Sequence, residues 1–592
     1  MKINEAPNLN YAWGMLLVEE LVRNGVTYFC IAPGSRSSAL TAAAAKHPKV
    51  KTKIHYDERG LAFHALGYVS VTKRPAALIC SSGTAAVNFF PAVVEISKKK
   101  LPLIVLTADR PPELQQTGAL QTIDQEKLYG SYVRRYINLP APDVNIKPEV
   151  LLTTVDQAVF GASDGMAGPV HINCMFREPL APEKTGFDAS AYLNPVQKWL
   201  QSGNVYTEYK TVPPTPDFSR DGELIKILKQ TERGVMVVGK LASVEEQQAV
   251  LKLSDKLNWP LFPDITSGLR TVRHPNVIHY YDQVLLSNTF LENFRIGTVL
   301  HLGGRITSKR WYEWVEKAHP DHYITVLNHP LRNDPLHRVT HRVKAKIGDF
   351  AGSLLQAVES AHEEDHLLFL QTTSESIGRI IDSIMDEWKA VNEIGTARAL
   401  SRWISDGHGL FLANSMAVRE LDMYAAQTGT SPVIGGNRGA SGIDGIIASA
   451  CGFARALEKP TTLLIGDLAF LHDLNSLIMT RELNDPLVIV VINNNGGGIF
   501  SFLPIGNSDM AADIFEPCFG TPHGLEFSKA ADMFGLNYTA PGTMEHFTDA
   551  YETALQDRIS TIIEVKTERK ENHGMHLFVQ EKIRNAVDNM LK

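Results

Sequence analysis

The sequence predicts an α/β protein with three doubly wound domains, each built around a parallel sheet that helices cover on both faces. Three observations lead to this fold class. The chain has 592 residues, which is too long for one ordinary hydrophobic core. Short apolar runs alternate with helical patterns along its length, as expected for buried parallel strands joined by helices. Two linker-like stretches divide the chain into three blocks of similar size.

The apolar runs predict the strands most directly, because they are short, continuous and bounded by turn residues. We predict strands at residues 28–31, 77–80, 103–106, 235–238, 299–302, 463–465 and 488–492. The first linker-like stretch covers about 179–216 and ends in Val-Pro-Pro-Thr-Pro, and the second is the charge-rich region near 359–365. We therefore predict domains at residues 1–185, 186–365 and 366–592.

The first and third blocks share a pattern that suggests an internal duplication. Gly67 lies in a helical segment that is followed by Pro75 and a strand, and Gly452 and Pro460 repeat this arrangement 385 residues later. The alternative is that all doubly wound units share such a pattern.

Composition and charge narrow the class of protein. The net charge is -7, with 44% hydrophobic and 21% charged residues, which argues against a surface that binds nucleic acid. The N-terminus has no signal-peptide core, and no run approaches the length of a membrane helix. The five cysteines are scattered and odd in number, which favours a reducing compartment without a zinc ribbon. We expect a soluble cytoplasmic protein with no nucleic-acid or membrane partner.

The most distinctive local feature is a candidate site for a metal ion and a diphosphate. One predicted strand ends at Gly466 and Asp467, and the next ends in an Asn-Asn-Asn-Gly-Gly-Gly segment. Ligands collect beyond the carboxyl ends of neighbouring parallel strands. The carboxylate of Asp467, the amide oxygen of Asn494 and the backbone oxygen of Gly496 would suit Mg²⁺, with phosphate and water completing an octahedron. The alternative is an aspartate cap and a turn with no ligand.

This spacing of Gly-Asp and Asn-Asn resembles the thiamine diphosphate signature, although Leu468 stands where glycine is usual. Longer segments resemble one family of these enzymes, the 2-succinyl-5-enolpyruvyl-6-hydroxy-3-cyclohexene-1-carboxylate synthases of menaquinone biosynthesis. The matching segments are residues 33–37, 57–59, 82–85, 107–114, 305–310, 437–445 and 493–500.

The resemblance implies a pyrimidine-binding domain, a central domain and a diphosphate-binding domain. The cofactor would be thiamine diphosphate with Mg²⁺ or Mn²⁺. Glu58 would hydrogen-bond the aminopyrimidine ring and promote its imino form; the alternative is a surface ion cluster of Asp57, Glu58 and Arg59. The remaining cofactor contacts implied by the resemblance, some of which could be plain core, are Gly466, Ile443, Ile499, Phe500 and Leu503.

The implied activity is that of a carboligase-type transferase. The family decarboxylates 2-oxoglutarate and joins the succinyl semialdehyde fragment to isochorismate by conjugate addition. Both substrates carry two carboxylates, which arginine binds well. The implied substrate contacts are Ser35, Arg36, Arg110, Gln121, Lys309, Arg310, Ser415, Arg419 and Arg438.

Within this set, Ser415 and Arg419 are four residues apart and should share a helix face. We assign them to the succinyl carboxylate, and Arg36, Arg110, Lys309 and Arg310 to isochorismate. The alternative for each arginine is a solvated surface charge. Leu120 stands where some relatives carry asparagine, which puts the local contacts there in doubt.

The resemblance also implies an assembly, because in this superfamily the groups matching Glu58 and Asp467 meet across two subunits. We expect a homodimer or a dimer of dimers. The alternatives are another thiamine diphosphate-dependent 2-oxo acid decarboxylase or carboligase, and a non-catalytic protein that keeps the fold. The His-Glu-x-x-His pattern at 362–366 lies in a charged linker, so we do not interpret it as a zinc site.

Overall fold

A computed structural model describes residues 2–211, 217–358 and 365–592. The seventeen strands named in these ranges form three sheets, and every pairing between them is parallel. The strands are β1 (Tyr28–Ile31), β2 (Lys51–Ile54), β3 (Ala76–Cys80), β4 (Leu103–Asp109), β5 (Arg135–Leu139), β6 (Pro169–Met175), β7 (Gly234–Val238), β8 (Leu261–Pro263), β9 (Thr298–Leu302), β10 (His322–Leu327), β11 (His341–Lys344), β12 (Gly409–Leu412), β13 (Val433–Gly435), β14 (Thr461–Gly466), β15 (Leu487–Asn493), β16 (Asn537–Thr539) and β17 (Thr561–Lys566).

Helices connect the strands, as parallel pairing requires. The α-helices of the described ranges are α1 (Leu9–Arg23), α2 (Ser38–Lys46), α3 (Glu58–Thr72), α4 (Thr84–Asn88), α5 (Phe90–Lys99), α6 (Pro148–Ser163), α7 (Ala189–Tyr192), α8 (Gln197–Gln201), α9 (Gly222–Gln230), α10 (Val244–Leu257), α11 (Tyr281–Val284), α12 (Asn288–Asn293), α13 (Lys309–Ala318), α14 (Ile347–Ala357), α15 (Asp365–Glu387), α16 (Glu393–Trp403), α17 (Met416–Tyr424), α18 (Ile446–Leu457), α19 (Asp467–His472), α20 (Ala512–Phe515), α21 (Ser528–Phe534), α22 (Met544–Gln556) and α23 (Arg569–Met590).

The strand orders confirm the α/β fold class with three parallel-sheet domains. The first sheet has the order β2-β1-β3-β4-β6-β5, and the second has the order β11-β10-β9-β7-β8. The third sheet has the order β13-β12-β14-β15-β17-β16, which repeats the order of the first sheet strand for strand. This shared topology supports a duplication of the first block in the third.

The chain forms two compact units. One unit comprises Met1–Val212, Gly436–Glu458 and His472–Asn484, and the other comprises Pro213–Gly435, Lys459–Leu471 and Asp485–Lys592. The first unit therefore contains the first sheet, and the second unit contains the other two.

Inside the first unit, α3 and α18 cross at two glycines. A Cβ atom added to Gly67 would lie 2.0 Å from the backbone oxygen of Ser449, and one added to Gly452 would lie 2.0 Å from that of His64. Gly67 and Gly452 are separated by the same number of residues as His64 and Ser449. The contact of Gly67 with Ser449 and the contact of Gly452 with His64 are therefore equivalent, as in a local two-fold arrangement of α3 and α18. Only glycine permits this close approach of the two backbones.

All seven predicted strands are present, extended by at most three residues at either end. The predicted linker from 179 to 216 is partly ordered, because α7 and α8 lie inside it and Trp199 is buried. Residues 212–216, 359–361 and His362–Glu364 of the His-Glu-x-x-His pattern lie outside the described residues. The predicted domain boundaries after 185 and 365 fall between sheets and remain predictions.

Two further properties concern membrane-spanning helices and the cysteines. No helix in the described ranges has the length and apolar character needed to cross a membrane. All five cysteines lie in those ranges and are free thiols; Cys518 is exposed and the other four are buried.

Candidate active site

The predicted metal site lies where β14 and β15 end side by side. The two strands pair in parallel, with Gly466 opposite Ile492. Asp467 follows directly and is only 2% exposed. Its Oδ2 accepts hydrogen bonds from the Gly496 N–H at 2.8 Å and from His523 Nε2 at 3.2 Å. Burial raises the pKa of Asp467, while these hydrogen bonds oppose the rise.

The amide of Asn494 is oriented with its oxygen available for a ligand. Its Nδ2 donates to Glu393 Oε1 at 3.1 Å. Its Oδ1 is buried and has no hydrogen-bond partner among the described residues. A buried amide oxygen without a partner is costly, and a cation would satisfy it.

The glycines of the same loop hold the backbone in a shape that a side chain would prevent. Gly496 has φ +134°, and a Cβ there would lie 1.8 Å from the oxygen of Gly520. The Gly497 N–H donates to the same oxygen at 2.8 Å. The Gly496 carbonyl accepts from the Gly498 N–H at 2.9 Å and keeps a second lone pair.

These atoms fit a hard divalent cation, because carboxylate, amide and backbone oxygens are the donors that Mg²⁺ and Mn²⁺ prefer. Asp467, Asn494 and Gly496 are the residues that would hold it. The described residues contain no cluster of three or more His, Cys, Asp or Glu side chains that could hold a metal. Of the three predicted ligands, only Asp467 belongs to these residue types, so the absence of such a cluster does not bear on the predicted metal site.

The apolar residues predicted to contact the cofactor are not core residues. Ile499 and Phe500 are half-buried in the 3₁₀-helix Gly498–Phe502, and Phe500 packs edge-on against Phe519. Leu503 is 38% exposed and Ile443 is 42% exposed. Their exposed apolar surface is therefore available to a ligand.

Glu58 is the first residue of α3, immediately after the loop that follows β2. Asp57 caps the helix, because its Oδ1 accepts from the N–H groups of Arg59 and Gly60 at 3.0 and 3.3 Å. Arg59 donates instead to the backbone oxygen of His472 at 3.0 Å. The three charges thus do not pair with one another as a surface cluster would. Among the described residues, the half-buried Glu58 carboxylate accepts only a long contact of 3.4 Å from Asn88.

Three of the predicted substrate contacts come together at the carboxyl ends of β1, β3 and β4. Arg110 donates to the Ser82 hydroxyl and, at 3.4 Å, to Gln121 Oε1. Burial, and after it the positive charge of Arg36, lowers the pKa of Arg110. Arg36 donates to the backbone oxygen of Phe176 at 2.9 Å, and the Phe176 N–H donates to the oxygen of Asp109 at 3.1 Å, so Arg36 and Arg110 lie on adjacent chain segments. Arg36 is 8% exposed and reaches the exposed carboxylate of Glu178 at 3.4 Å. The buried Asp109 carboxylate also lies here and accepts the Arg110 N–H at 2.7 Å. Two guanidinium groups in this region suit an anionic ligand.

Ser35 and Arg438 occupy loops of the same compact unit. Ser35 is exposed beside Arg36. The loop that carries Arg438 is held by the buried Glu95, whose carboxylate accepts from the N–H groups of Gly439 and Ala440 at 2.6 and 2.5 Å. Arg438 itself is half-buried.

The other four predicted contacts lie in the second unit. Ser415 is the N-cap of α17, one residue before the helix, with φ +66°. The Arg419 guanidinium donates to the backbone oxygen of Ser415, and a shared helix face for the two side chains stays a prediction. Arg310 pairs with the buried Asp282. Lys309 is 83% exposed in its side chain and pairs at 2.9 Å with Glu313, one turn along α13.

Comparisons with known proteins cover nearly the whole chain. Residues 13–128 match the N-terminal binding domain of thiamine pyrophosphate enzymes, residues 190–412 the middle domain, and residues 421–565 the C-terminal binding domain. The curated 2-succinyl-5-enolpyruvyl-6-hydroxy-3-cyclohexene-1-carboxylate synthase of Rubrobacter xylanophilus is 46% identical over 96% of this chain and 98% of its own length. The proteins of the same name from Prosthecochloris aestuarii and Salinibacter ruber are 43% and 42% identical, over 97% and 99% of this chain and 98% of their own lengths.

The chain belongs to the 2-succinyl-5-enolpyruvyl-6-hydroxy-3-cyclohexene-1-carboxylate synthase family. It is an enzyme with thiamine diphosphate-binding domains, as the spacing of Asp467 and Asn494 predicted. Membership in the synthase family favours the predicted activity over that of another thiamine diphosphate-dependent carboligase.

Three residues of this synthase-family chain escaped the sequence prediction. His523 contacts Asp467 from 56 positions away, and its Nδ1 accepts the Leu525 N–H at 3.0 Å, so the ring proton is on Nε2 and points at Asp467. Glu393 and Glu95 each hold a loop that carries predicted site residues. No local motif marks them, because their contacts join distant parts of the sequence.

Proposed function

We propose that this protein decarboxylates 2-oxoglutarate and adds the resulting succinyl semialdehyde fragment to isochorismate, giving 2-succinyl-5-enolpyruvyl-6-hydroxy-3-cyclohexene-1-carboxylate for menaquinone biosynthesis. The observation that carries the substrate assignment is the placement of Arg36 and Arg110 on adjacent chain segments, with Arg110 beside Gln121. Both proposed substrates are dicarboxylates, and guanidinium groups bind carboxylates with parallel hydrogen bonds. Full-length similarity to proteins named for this product supports the same assignment.

The cofactor end of the site follows from the loop geometry. Thiamine diphosphate, when bound, supplies the carbon nucleophile that the reaction requires. Asp467, Asn494 and Gly496 would hold Mg²⁺ or Mn²⁺ against the diphosphate. Glu58 would hold a proton at the aminopyrimidine ring, and the hydrogen bond that its half-buried carboxylate accepts from Asn88 is long, at 3.4 Å.

The remaining predicted residues are proposed contacts of the cofactor or of the substrates. Gly466 brings the strand end close to the cofactor without a side chain, and four apolar residues would shield its reactive part from water. These are Ile443, Ile499, Phe500 and Leu503. The proposed substrate contacts are Ser35, Arg36, Arg110, Gln121, Lys309, Arg310, Ser415, Arg419 and Arg438. Lys309 contributes only if it leaves Glu313.

A direct assay tests this function. Purified protein is mixed with Mg²⁺, thiamine diphosphate, 2-oxoglutarate and isochorismate, and isochorismate loss is followed by absorbance. We expect turnover with 2-oxoglutarate and little with pyruvate, and near-complete loss of turnover in Glu58→Gln with cofactor binding retained. Turnover of pyruvate in place of 2-oxoglutarate would show a different carboligase, and full activity in Glu58→Gln would remove Glu58 from the reaction.

We also propose a homodimer, or a dimer of dimers, in which each site uses Glu58 of one subunit and Asp467 of its partner. Glu58→Gln and Asp467→Asn are each expected to be inactive. Random mixing of the two variants would make half of the dimers mixed, and each mixed dimer would have one intact site of two. We therefore expect roughly a quarter of wild-type activity after subunit exchange. Absence of any recovery, with exchange shown by mass spectrometry, would contradict a shared site.

We further propose that the enzyme works in the cytoplasm. Its five free thiols support a reducing compartment. Fractionation of the source cells, with the enzyme followed by antibody, would contradict this if the protein were found outside the cytoplasmic fraction.

A further inference from the structure

The carboxylate of Glu393 lies directly behind the amide of Asn494. Its Oε1 accepts two hydrogen bonds, from Asn494 Nδ2 at 3.1 Å and from the Thr567 hydroxyl at 2.8 Å. Thr567 is itself held, because its N–H donates to the oxygen of Asn493 at 3.0 Å. Glu393 is 1% exposed, and none of the proposed catalytic or binding roles uses it.

A carboxylate in this position decides which way the amide faces. The oxygen and nitrogen ends of an asparagine amide have nearly the same shape, so a half-turn of the side chain exchanges them. An oxygen that already receives a hydroxyl proton and an amide proton acts as an acceptor. Oε1 therefore selects the nitrogen end of Asn494 and directs Oδ1 to the opposite side, where it is buried without a partner among the described residues.

The second carboxylate oxygen does not interfere with this arrangement. The carboxyl of Glu420, which is also 1% exposed, lies near the Glu393 carboxyl. Oε2 of Glu393 has no hydrogen-bond partner among the described residues, and Oε1 is the atom that accepts from Asn494. Glu420 thus shares the burial and chemistry of Glu393 without touching the amide.

We propose that Glu393 is a positioning residue that holds the amide oxygen of Asn494 toward a divalent cation. This inference rests on the proposed metal site. Glu393 itself contacts neither substrate nor cofactor in this proposal. Glu393 orients the Asn494 amide through the length of its side chain and its accepting oxygen, not through its charge.

Two substitutions separate length from charge. Glu393→Gln keeps the length, and its amide oxygen can accept from Asn494 and Thr567 while its NH₂ group faces Glu420. Glu393→Asp keeps the charge but withdraws the acceptor by about one methylene, or roughly 1.5 Å.

Mn²⁺ affinity is measured by electron paramagnetic resonance titration of the purified full-length protein with thiamine diphosphate and without substrates. Thermal unfolding without metal reports whether each variant is folded.

We expect Glu393→Gln to bind Mn²⁺ within about 3-fold of wild type and Glu393→Asp about 10- to 100-fold more weakly. Glu420→Gln is the matched control and should stay within about 3-fold. Wild-type affinity in folded Glu393→Asp would overturn the inference, as would an equal loss in Glu393→Gln or Glu420→Gln.

If Glu393→Asp does not fold, Thr567→Val is the second test. It removes one of the two donors that hold Oε1 and should weaken Mn²⁺ binding about 3- to 10-fold; unchanged affinity in Thr567→Val would overturn the inference. Failure of the wild type to bind Mn²⁺ would instead contradict the proposed metal site itself.

Discussion

The crossing of α3 and α18 supports a quantitative prediction, because α3 also carries Glu58 at its start. In Gly67→Ala the new Cβ would lie 2.0 Å from the backbone oxygen of Ser449. Carbon–oxygen contacts in proteins stay above about 3 Å, so the helices must separate by about 1 Å. The obstacle is backbone on both sides, which no rotamer change can relieve. The same geometry applies to Gly452→Ala against His64.

The cost of this separation follows from overpacking energies. Extra methylenes in a packed core cost typically 1–3 kcal/mol, and a backbone contact belongs at the upper end, about 3 kcal/mol. For a body of 150–250 residues, each kcal/mol lowers Tm by about 2–4 °C, so we expect Tm to fall by about 6–12 °C. Because Gly67 and Gly452 contact the same crossing, the double variant should cost less than the sum of the two.

The assay is thermal unfolding of each single variant, the double variant and a matched control. Gly161 lies inside α6, where the nearest heavy atom to an added Cβ is Arg135 Nε at 4.0 Å. Gly161→Ala should leave Tm unchanged or raise it, because alanine favours a helix by about 1 kcal/mol over glycine. Gly67→Ala should also lower kcat, since displacement of α3 moves Glu58. A Tm for Gly67→Ala within about 1 °C of wild type would refute the crossing geometry.

Three further predictions concern other parts of the molecule. Burial, and after it Asp156, raises the pKa of Glu20 to about 8; its stabilisation is therefore complete below the unfolded pKa of about 4.3 and is lost as pH rises through about 8. Glu20→Gln should flatten the fall in urea midpoint between pH 5 and 8, and an unchanged slope would contradict this. Arg110→Met should raise the KM for isochorismate about 10- to 100-fold, as expected for a lost charge-assisted pair. Lys309→Met should raise this KM by a smaller factor, because the exposed Lys309 must first leave Glu313, and an effect as large as that of Arg110→Met would contradict this ranking. Gly496→Ala should weaken Mn²⁺ binding more than about 10-fold because its Cβ has no space; wild-type affinity would exclude the loop as a metal site.

Much of the fold could be predicted because buried parallel strands are recognisable from short segments of the sequence. Residues in β3, β4 and β15 are buried throughout, so they read as continuous apolar runs. The ends of β14 and β15 also located Asp467 and Asn494, since neighbouring parallel strands bring their carboxyl ends to one edge of the sheet. The order within the predicted linker 179–216 was harder to predict. Trp199 in this stretch is buried and donates to the Glu20 carboxylate, which lies 179 positions earlier in the sequence.

The sequence by itself determined the fold class, the family and the residues of the candidate site, because strand periodicity and short motifs are local properties. The tertiary structure alone decided which partners surround those residues. Glu393 behind Asn494, His523 on Asp467 and Glu95 under the loop of Arg438 are separated from their partners by 101, 56 and more than 300 positions. Folding brings them together because burial of a polar group requires a hydrogen-bond partner, and the chain supplies that partner from any position that packing makes adjacent.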